Sequence, residues 1–366
     1  MSYRRSIRSL GIEAPERAYY FEYEEEPPNG EQLQLDTLFS GLSAGTELTF
    51  LKNTNPFFHS RFDADRGAFI CGEPALRYPV PFLGYMEVAR ISRSQAPDFT
   101  EGDIVATTYG HKSGHIANPD SELLVKLPDS LEPILGIFVA QMGPIAANGI
   151  LHADAETAGQ DIARLGQGIE GRPVIVMGAG TVGLMTALFA RHCHAADIIV
   201  ADPSPFRRAK AEAMGFEAMS EEQVSAHAKR SWHHGGCERG ADFVFQTRAH
   251  SKSLDTALKA LRPQGTVIDL AFYQNGAKAL RLGEEFHHNG LNIRCAQINR
   301  VPRGLSHRWD RRRLARETIV MLQREGSLIL EHMITDIIPF DDGAKFLNDL
   351  SSRRRDFIQV VFKADV

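Results

Sequence analysis

The segment between residues 174 and 202 constrains the fold of this chain more than any other, because strand, turn, helix and strand patterns follow one another along it. The apolar run Val174–Met177 leads into Gly178-Ala179-Gly180-Thr181-Val182-Gly183, which fits the pattern G-x-G-x-x-G. A helical pattern follows, and a second apolar run ends on Asp202, 19 residues after Gly183. That spacing is close to the ~20 residues typical of a dinucleotide-binding βαβ unit.

The glycine-rich turn is suited to phosphate binding at the start of a helix. Gly178 permits the tight strand-to-helix turn, Gly180 lets the backbone approach a pyrophosphate, and Gly183 lets the helix pack against the strand. The N–H groups at Thr181 and Val182, where the helix begins, would face the phosphate charge. We predict that these five residues bind the phosphates of a dinucleotide.

Asp202 indicates which dinucleotide is preferred. Its carboxylate would accept hydrogen bonds from both ribose hydroxyls, whereas it would repel the 2′-phosphate of NADP. Arg207 follows five residues later, and its positive charge would favour NADP. We therefore predict NAD as the cofactor, with NADP less favoured, and assign Asp202 and Arg207 to its binding.

Composition and charge exclude several classes of protein. The chain has 366 residues, enough for two domains, and 43% of them are hydrophobic, enough for a sizeable core. The formal net charge of −5 argues against general affinity for nucleic acid. No apolar run reaches the roughly 18 residues of a membrane span, and the N-terminus lacks the apolar stretch of a signal peptide. The four cysteines form no C-x-x-C pair. These features favour a cytoplasmic protein that acts on a small molecule, without nucleic-acid or membrane partners.

Two sequence patterns divide the chain into domains. Before about residue 130, short strand-like runs separated by Gly, Pro, Asn and Asp indicate an irregular β domain. From residue 174 to residue 271, strand and helix patterns alternate, which is typical of a parallel, doubly wound sheet. The last strand pattern, near residues 357–362, would return to the first domain. We predict an α/β protein with a first domain over residues 1–143, completed by about residues 305–366, and a nucleotide-binding domain over residues 144–304.

Six motifs resemble, in their order and spacing, those of the medium-chain dehydrogenase/reductase superfamily, which includes the zinc alcohol dehydrogenases. They are SGLSAGTEL at 40–48, PFLGYMEV at 81–88, EGDIV at 101–105, LPD at 127–129, the glycine-rich turn, and LRPQGTV at 261–267. The resemblance covers nearly the whole chain. It implies a GroES-like β-rich catalytic domain joined to a Rossmann domain, hydride transfer with a nicotinamide cofactor, and a homodimer in which the run 291–298 pairs across a two-fold axis.

The positions that match the family's zinc ligands carry unsuitable side chains. A catalytic zinc needs three protein ligands and one open position. The matching positions here are Ala44, Tyr85 and Met142, and Met86 replaces the glutamate that usually follows the histidine. The region that matches the structural-zinc loop contains no cysteine. We therefore predict that the chain binds neither the catalytic nor the structural zinc.

Three side chains near these positions are candidates for the chemistry. Tyr85 replaces a zinc ligand, and its phenol could donate a hydrogen bond to a developing alkoxide; the alternative is that its ring only fills space. Thr46 matches the family hydroxyl that contacts the substrate oxygen. Glu47 matches the acid beside it, which often organises the site, and the alternative is a structural partner of an arginine. We assign Thr46, Tyr85 and Glu47 to catalysis.

Other segments offer possible substrate contacts. In the stretch 50–80, aromatic residues alternate with arginines. One interpretation is that the stretch contacts substrate through His59 and Arg61, and the other is that it packs on its own aromatic side chains. Met142 and Asn148, in the helical segment that leads to the second domain, are also assigned to substrate, although ordinary helix packing also explains Asn148. The sequence assigns no role to the basic segment 294–313 or to the connection 154–171. We interpret His111 and His115 as part of a polar loop or as a substrate contact, and not as a metal site.

Three functions are compatible with these features. The leading one is a zinc-independent, NAD(H)-dependent oxidoreductase acting on an alcohol/carbonyl pair. A zinc-free reductase of enoyl or quinone substrates is the second, since hydride delivery to carbon needs no metal, although Asp202 argues against the NADPH that such reductases commonly use. The third is a non-catalytic nucleotide-binding protein, which the intact glycines and the retained Thr46 and Glu47 disfavour.

Overall fold

The alternation of apolar and polar residues in the N-terminal part of the chain produces antiparallel strands in the computed structural model, which describes residues 4–274, 276–352 and 355–365. Strands β1 and β2 pair with each other, and β4 and β5 form a second, short hairpin. The elements of this part are β1 (Arg5–Ala14), β2 (Arg17–Glu25), β3 (Leu33–Gly41), α1 (Ala44–Leu51), β4 (Ser60–Asp63), β5 (Ala68–Cys71), β6 (Glu87–Ser94), β7 (Ile104–Thr107), β8 (Gly114–Ala117) and β9 (Val125–Lys126).

Alternating strands and helices follow and form one parallel sheet of six strands. Its order, β12-β11-β10-β13-β14-β15, is that of a doubly wound nucleotide-binding sheet. The elements are α2 (Met142–Ala158), β10 (Val174–Met177), α3 (Thr181–His192), β11 (Ile198–Ala201), α4 (Pro205–Ala213), β12 (Glu217–Met219), α5 (Glu221–Ser231), β13 (Ala241–Gln246), α6 (Ser251–Ala260), β14 (Leu261–Asp269), β15 (Asn292–Cys295) and α7 (Arg311–Leu328). The predicted strands at 174–177 and 198–201 have the bounds that the sequence indicated.

The C-terminal segment completes the first sheet. It contains β16 (Ile334–Pro339), α8 (Gly343–Ser352) and β17 (Gln359–Lys363). These strands extend a seven-stranded sheet of order β16-β17-β3-β6-β7-β9, with β8 paired to β3. Short 3-10 and π-helical turns connect several elements, at Pro56–Phe58, Pro133–Phe138, Leu282–Phe286, Arg303–Leu305, Ile329–Met333 and Phe340–Asp342.

The chain divides into two compact units with boundaries that differ from the predicted ones. The first unit comprises Met1–Ala140 and Asp336–Val366, and the second comprises Gln141–Thr335. The return to the first unit therefore begins near residue 336 and not near residue 305. The reason is that α7 packs against α2 and α3 within the second unit. A Cβ atom on Gly143 of α2 would lie 2.1 Å from a side-chain carbon of Thr318 on α7, so the two helices are in close contact.

The core of the first unit supports the elements that carry the candidate catalytic residues. Leu42 and Leu51, at the two ends of the α1 segment, pack in one buried cluster with Leu83, Phe346 and Phe362. A second cluster lies between β3, β6 and β7. The first cluster holds α1 and the segment before β6 in one buried environment. Among the described residues, no helix is both long and apolar enough to cross a membrane.

The close packing of α3 on β10 can be tested through the stability of the second unit. A Cβ atom on Gly183 would lie 1.7 Å from the carbonyl oxygen of Gly178. We expect Gly183→Ala to lower the free energy of unfolding by about 3 kcal/mol, because the added methyl must push the helix from the strand. Both tryptophans of the chain, Trp232 and Trp309, are buried in this unit, so their fluorescence during urea unfolding reports its stability.

Gly283→Ala is the matched control for this measurement. A Cβ atom there would meet no other atom within 4 Å. Its unfolding curve should therefore overlay that of the parent. A Gly183→Ala protein with the same stability as the Gly283→Ala protein would contradict the close packing of α3 on β10.

Candidate active site and nucleotide-binding loop

Three hydroxyl groups meet at the start of α1 in the first unit. Tyr85 shares a hydrogen bond with the hydroxyl of Ser43 and donates another to Thr46 Oγ1 at 3.2 Å. Ser43 is the residue before α1, and Thr46 lies in its first turn. Burial raises the pKa of Tyr85, its hydrogen bonds with Ser43 and Thr46 lower the pKa, and the charge of Glu47 raises it, with a net rise. Tyr85 is therefore a protonated hydrogen-bond donor at neutral pH.

Glu47 is held by a histidine and not by an arginine. Its side chain is only 2% exposed. Its Oε1 accepts a hydrogen bond from Ser43 N at 2.7 Å, and its Oε2 lies 2.8 Å from His111 Nε2. The other ring nitrogen of His111 lies 2.8 Å from Ser40 Oγ. The alternative of an arginine partner for Glu47 is thus wrong, because His111 occupies that position.

His111 lies next to this site. The sequence predicts only that it is one of two histidines in a polar loop and does not decide its role. Only part of the segment is a loop, since His115 lies in β8, and both side chains are buried. His115 Nδ1 lies 3.5 Å from an oxygen of Glu87, so the two histidines face different carboxylates. No sequence signal pairs Glu47 with His111, because 64 residues separate them and tertiary folding alone brings them together.

Glu87 is a second buried carboxylate near this region. It accepts hydrogen bonds from Thr37 Oγ1 at 2.5 Å and Thr107 Oγ1 at 2.6 Å. Burial raises the pKa of Glu87, but His115 and the threonine hydroxyls outweigh that effect, so its pKa is lowered overall. Glu87 is therefore a charged group that ties β3, β6 and β7 together.

The donor set at the family's zinc positions does not fit zinc. Ala44 has no donor atom, and Met142 is buried as the first residue of α2. The hydroxyl of Tyr85 is engaged with two other hydroxyls. Over residues 4–274, 276–352 and 355–365, no group of three or more His, Cys, Asp or Glu side chains is placed to hold a metal ion. The residues present therefore provide no site for the family's catalytic zinc.

The glycine-rich turn of the second unit has the geometry of a phosphate-binding loop. Gly178 follows β10 with a φ of +103°, a backbone conformation that other residues rarely adopt. Gly180 precedes α3, and Thr181 and Val182 are the first residues of that helix. Together with the close approach at Gly183, this forms the strand–turn–helix arrangement that binds phosphate at a helix N-terminus.

Asp202 directly follows β11, and its side chain supports this loop. It is 2% exposed, and its two carboxylate oxygens accept hydrogen bonds from Ala179 N at 2.9 Å and Ser204 N at 2.8 Å. Each carboxylate oxygen retains a further lone pair that can accept a hydrogen bond. Arg207 lies over the turn, since its Nη1 is 3.4 Å from the position of a Cβ atom on Gly180.

The structure places the predicted substrate residues in different environments. His59 is exposed, and Arg61 forms an ion pair with Glu73 at 2.6 Å. Asn148 is fully buried and donates to Gln297 O at 3.1 Å, a contact within the second unit. The stretch 50–80 contains stacked aromatic pairs such as Phe58 with Tyr78. This agrees with the interpretation that the stretch packs on its own aromatic side chains.

The two segments of undecided role, 154–171 and 294–313, are partners of each other. Arg308 pairs with Asp161 at 3.0 Å, and the buried indole of Trp309 donates to Ile162 O at 2.9 Å. Asp154 fixes the connection internally, because its oxygens accept from Gly166 N and Gly168 N. Burial raises the pKa of Asp154 to about 6, although these backbone hydrogen bonds lower it. Arg294 likewise pairs with Glu156 at 2.8 Å, and Arg313 donates to Ala163 O at 2.5 Å, so several basic side chains of 294–313 have a structural partner.

Comparisons with known proteins agree with this architecture. A family model described as zinc-binding dehydrogenase matches residues 181–309. The chain is 25% identical over 342 residues to D-guloside 3-dehydrogenase of Escherichia coli (strain K12), covering 91% of this chain and 93% of that protein. A protein from Sinorhizobium meliloti 1021 solved with NADP has a TM-score of 0.73 at 16% identity, over 98% of this chain and 99% of that one. A short chain alcohol dehydrogenase from Escherichia coli CFT073 complexed with NADH has a TM-score of 0.69 at 16% identity, over 98% and 99% of the two chains.

The second unit has a Rossmann fold, and the first is a GroES-like β unit. The predicted fold class is therefore confirmed. The chain resembles the medium-chain dehydrogenase/reductase superfamily and is an alcohol dehydrogenase-like oxidoreductase. The positions that match the superfamily's zinc ligands carry Ala44, Tyr85 and Met142.

Proposed function

We propose that this chain is a zinc-independent, NAD(H)-dependent oxidoreductase that interconverts a secondary alcohol and a ketone. The observation that carries the proposal is the Ser43–Thr46–Tyr85 hydroxyl cluster, in which Tyr85 occupies a position that matches one of the family's metal ligands. A D-guloside 3-dehydrogenase is a relative over nine-tenths of the chain, which favours a sugar or polyol as the alcohol.

The residues of the first unit supply the proton and the charge stabilisation. When bound, the nicotinamide supplies or accepts the hydride. During ketone reduction, the Tyr85 hydroxyl donates a hydrogen bond and then its proton to the substrate oxygen, where negative charge develops. Alcohol oxidation is the reverse step: Tyr85, after its own proton has been released to water, accepts the proton of the substrate hydroxyl. Thr46 and Ser43 hold the phenol in place, and Glu47 fixes Ser43 through its backbone N–H.

The residues of the second unit fit the dinucleotide. Gly178, Gly180 and Gly183, with the N–H groups at Thr181 and Val182, would bind the pyrophosphate. Asp202 would accept hydrogen bonds from the ribose, and Arg207 lies over the same turn. The buried negative charge of Asp202 disfavours the 2′-phosphate of NADP, so NAD is the proposed cofactor.

A homodimer is proposed from the edge of the parallel sheet. Strand β15 (Asn292–Cys295) is the last strand of that sheet, and all four of its residues are exposed. An edge strand of this kind presents unpaired backbone groups to a second copy of the same strand across a two-fold axis.

The proposed reaction is tested by a substrate screen on purified protein whose zinc content is measured in the same sample. We expect NAD reduction with one of methyl D-guloside, xylitol or butane-2,3-diol, at a zinc content far below one per chain. Turnover of but-3-en-2-one or 1,4-benzoquinone alone would favour the alkene and quinone reductase instead, a reaction that also needs no metal. Activity that depends on stoichiometric zinc would refute the metal-free site.

The cofactor preference is tested with Asp202→Asn. Removing the charge should shift the ratio of NADPH to NADH dissociation constants by about tenfold toward NADPH, which corresponds to ~1.4 kcal/mol. Fluorescence titration of both cofactors gives the ratio, and the ratio cancels any general loosening of the loop. Asp161→Asn is the control, since the Asp161 side chain is 91% exposed in the same unit; it should leave the ratio unchanged.

The role of the phenol is tested with Tyr85→Phe. The substitution removes only the hydroxyl, so kcat should fall by about 100-fold while NADH binding is retained. Tyr19→Phe is the matched control, because the Tyr19 ring is exposed in the first unit and the same single atom is removed. Unchanged turnover in Tyr85→Phe would show that Tyr85 only fills space.

A further inference from the structure

His111 is a buried, fully enclosed side chain that the proposed mechanism does not use. It is 0% exposed, and both ring nitrogens have partners. Nε2 lies 2.8 Å from Glu47 Oε2, and Nδ1 lies 2.8 Å from the hydroxyl of Ser40 at the end of β3. One side of the imidazole therefore contacts α1, through the carboxylate that also binds the N–H of Ser43.

The same ring contacts the segment that carries Tyr85. A Cβ atom on Gly84 would lie 3.0 Å from His111 Nε2 and 3.1 Å from Cε1, so the ring packs directly on the backbone before Tyr85. The backbone N–H of His111 donates to Leu83 O at 2.8 Å. A Cβ atom on Gly110 would lie 1.7 Å from that same oxygen, so only glycine allows this approach. The segments 83–85 and 110–111 are thus in direct backbone contact.

The rest of the unit holds the His111 ring from behind. The ring of Phe362, in β17, meets the imidazole edge-on with centroids 4.8 Å apart. The carbonyl of His111 accepts a hydrogen bond from Leu10 N at 2.9 Å. The imidazole therefore has β1 and β17 on one side and Glu47 and Gly84 on the other.

We propose that His111 is a positioning residue that couples the two halves of the hydroxyl cluster. Through Glu47 it fixes the backbone of Ser43, and through Gly84 it fixes the backbone of Tyr85, so the Ser43 and Tyr85 hydroxyls stay in contact. The inference rests on the proposed role of Tyr85. Loss of the imidazole would leave a buried carboxylate oxygen of Glu47 without its donor, and the start of α1 would move to find another.

The coupling is tested by a double-mutant cycle with His111→Phe and Tyr85→Phe, using the alcohol turned over fastest in the substrate screen. His111→Phe should lower kcat by about 30-fold and change KM by less than about threefold, because a positioning residue acts on the reacting geometry. In the Tyr85→Phe background the same substitution should cost less than about threefold, because its effect passes through the phenol. Equal losses in both backgrounds, or no loss in the first, would overturn the inference.

Rescue by a hydrogen-bonding side chain separates positioning from simple filling of space. His111→Gln retains an N–H donor that can reach Glu47, so its kcat should recover to within about fivefold of the parent. His111→Phe and His111→Gln with equal losses would show that the donor is irrelevant.

A measurement without substrate keeps the inference testable if the screen finds no turnover. Hydrogen exchange followed by mass spectrometry should show amides in 43–51 and 83–86 exchanging about tenfold faster in His111→Phe. Peptides of the second unit should be unchanged. His115→Phe is the matched control: it is an equally buried histidine in the same unit, and it contacts Glu87 instead of Glu47. It should leave exchange in 43–51 at the parent rate.

These outcomes separate the two proposals. If Tyr85→Phe has full activity, the role of the phenol fails, while faster exchange in 43–51 and 83–86 would still show that His111 couples the segments. If Tyr85→Phe is impaired and His111→Phe leaves both kcat and exchange unchanged, the proposed function stands and the positioning role of His111 is refuted.

Discussion

A carboxylate that is removed from water must find hydrogen-bond donors, and three buried carboxylates of this chain find them on loop backbones. Glu47 binds Ser43 N at the start of α1, Asp202 binds Ala179 N in the glycine-rich turn, and Asp154 binds Gly166 N in the connection to β10. An unpaired buried charge costs several kcal/mol, so each of these loops is held in one conformation. The hydroxyl cluster and the phosphate-binding turn both depend on this constraint.

In the proposed reaction, Glu47 supports a cluster of hydroxyl groups in place of a metal ion. A phenol, two hydroxyls and a carboxylate–imidazole pair lie together at the start of α1 and before β6. Burial raises the pKa of Tyr85 and keeps it protonated, so in the proposed reaction it would donate to a developing alkoxide and would not be a competing anion. His111 Nε2 lies 2.8 Å from Glu47 Oε2, so this buried carboxylate has a side-chain partner as well as the Ser43 N–H.

Much of the second unit could be predicted from sequence because its signals are local. The strands at 174–177 and 198–201, the turn at Gly178 and the helix after Gly180 follow from apolar runs and glycines that are contiguous in the chain. The boundary near residue 305 was misplaced because a helix pattern shows which face is apolar but not which sheet covers it. The structure buries that face of α7 against α2 and α3.

The sequence by itself determined the fold class and the strand–turn–helix segment around Gly178, because both depend on residue types at short, fixed spacings. Only the tertiary structure decided that Glu47 pairs with His111, that the Tyr85 hydroxyl meets Ser43 and Thr46, and that segment 154–171 is bound by 294–313. These contacts join residues from about 40 to 150 positions apart. Sequence spacing carries no information about them, since the packing of whole strands and helices sets which distant side chains become neighbours.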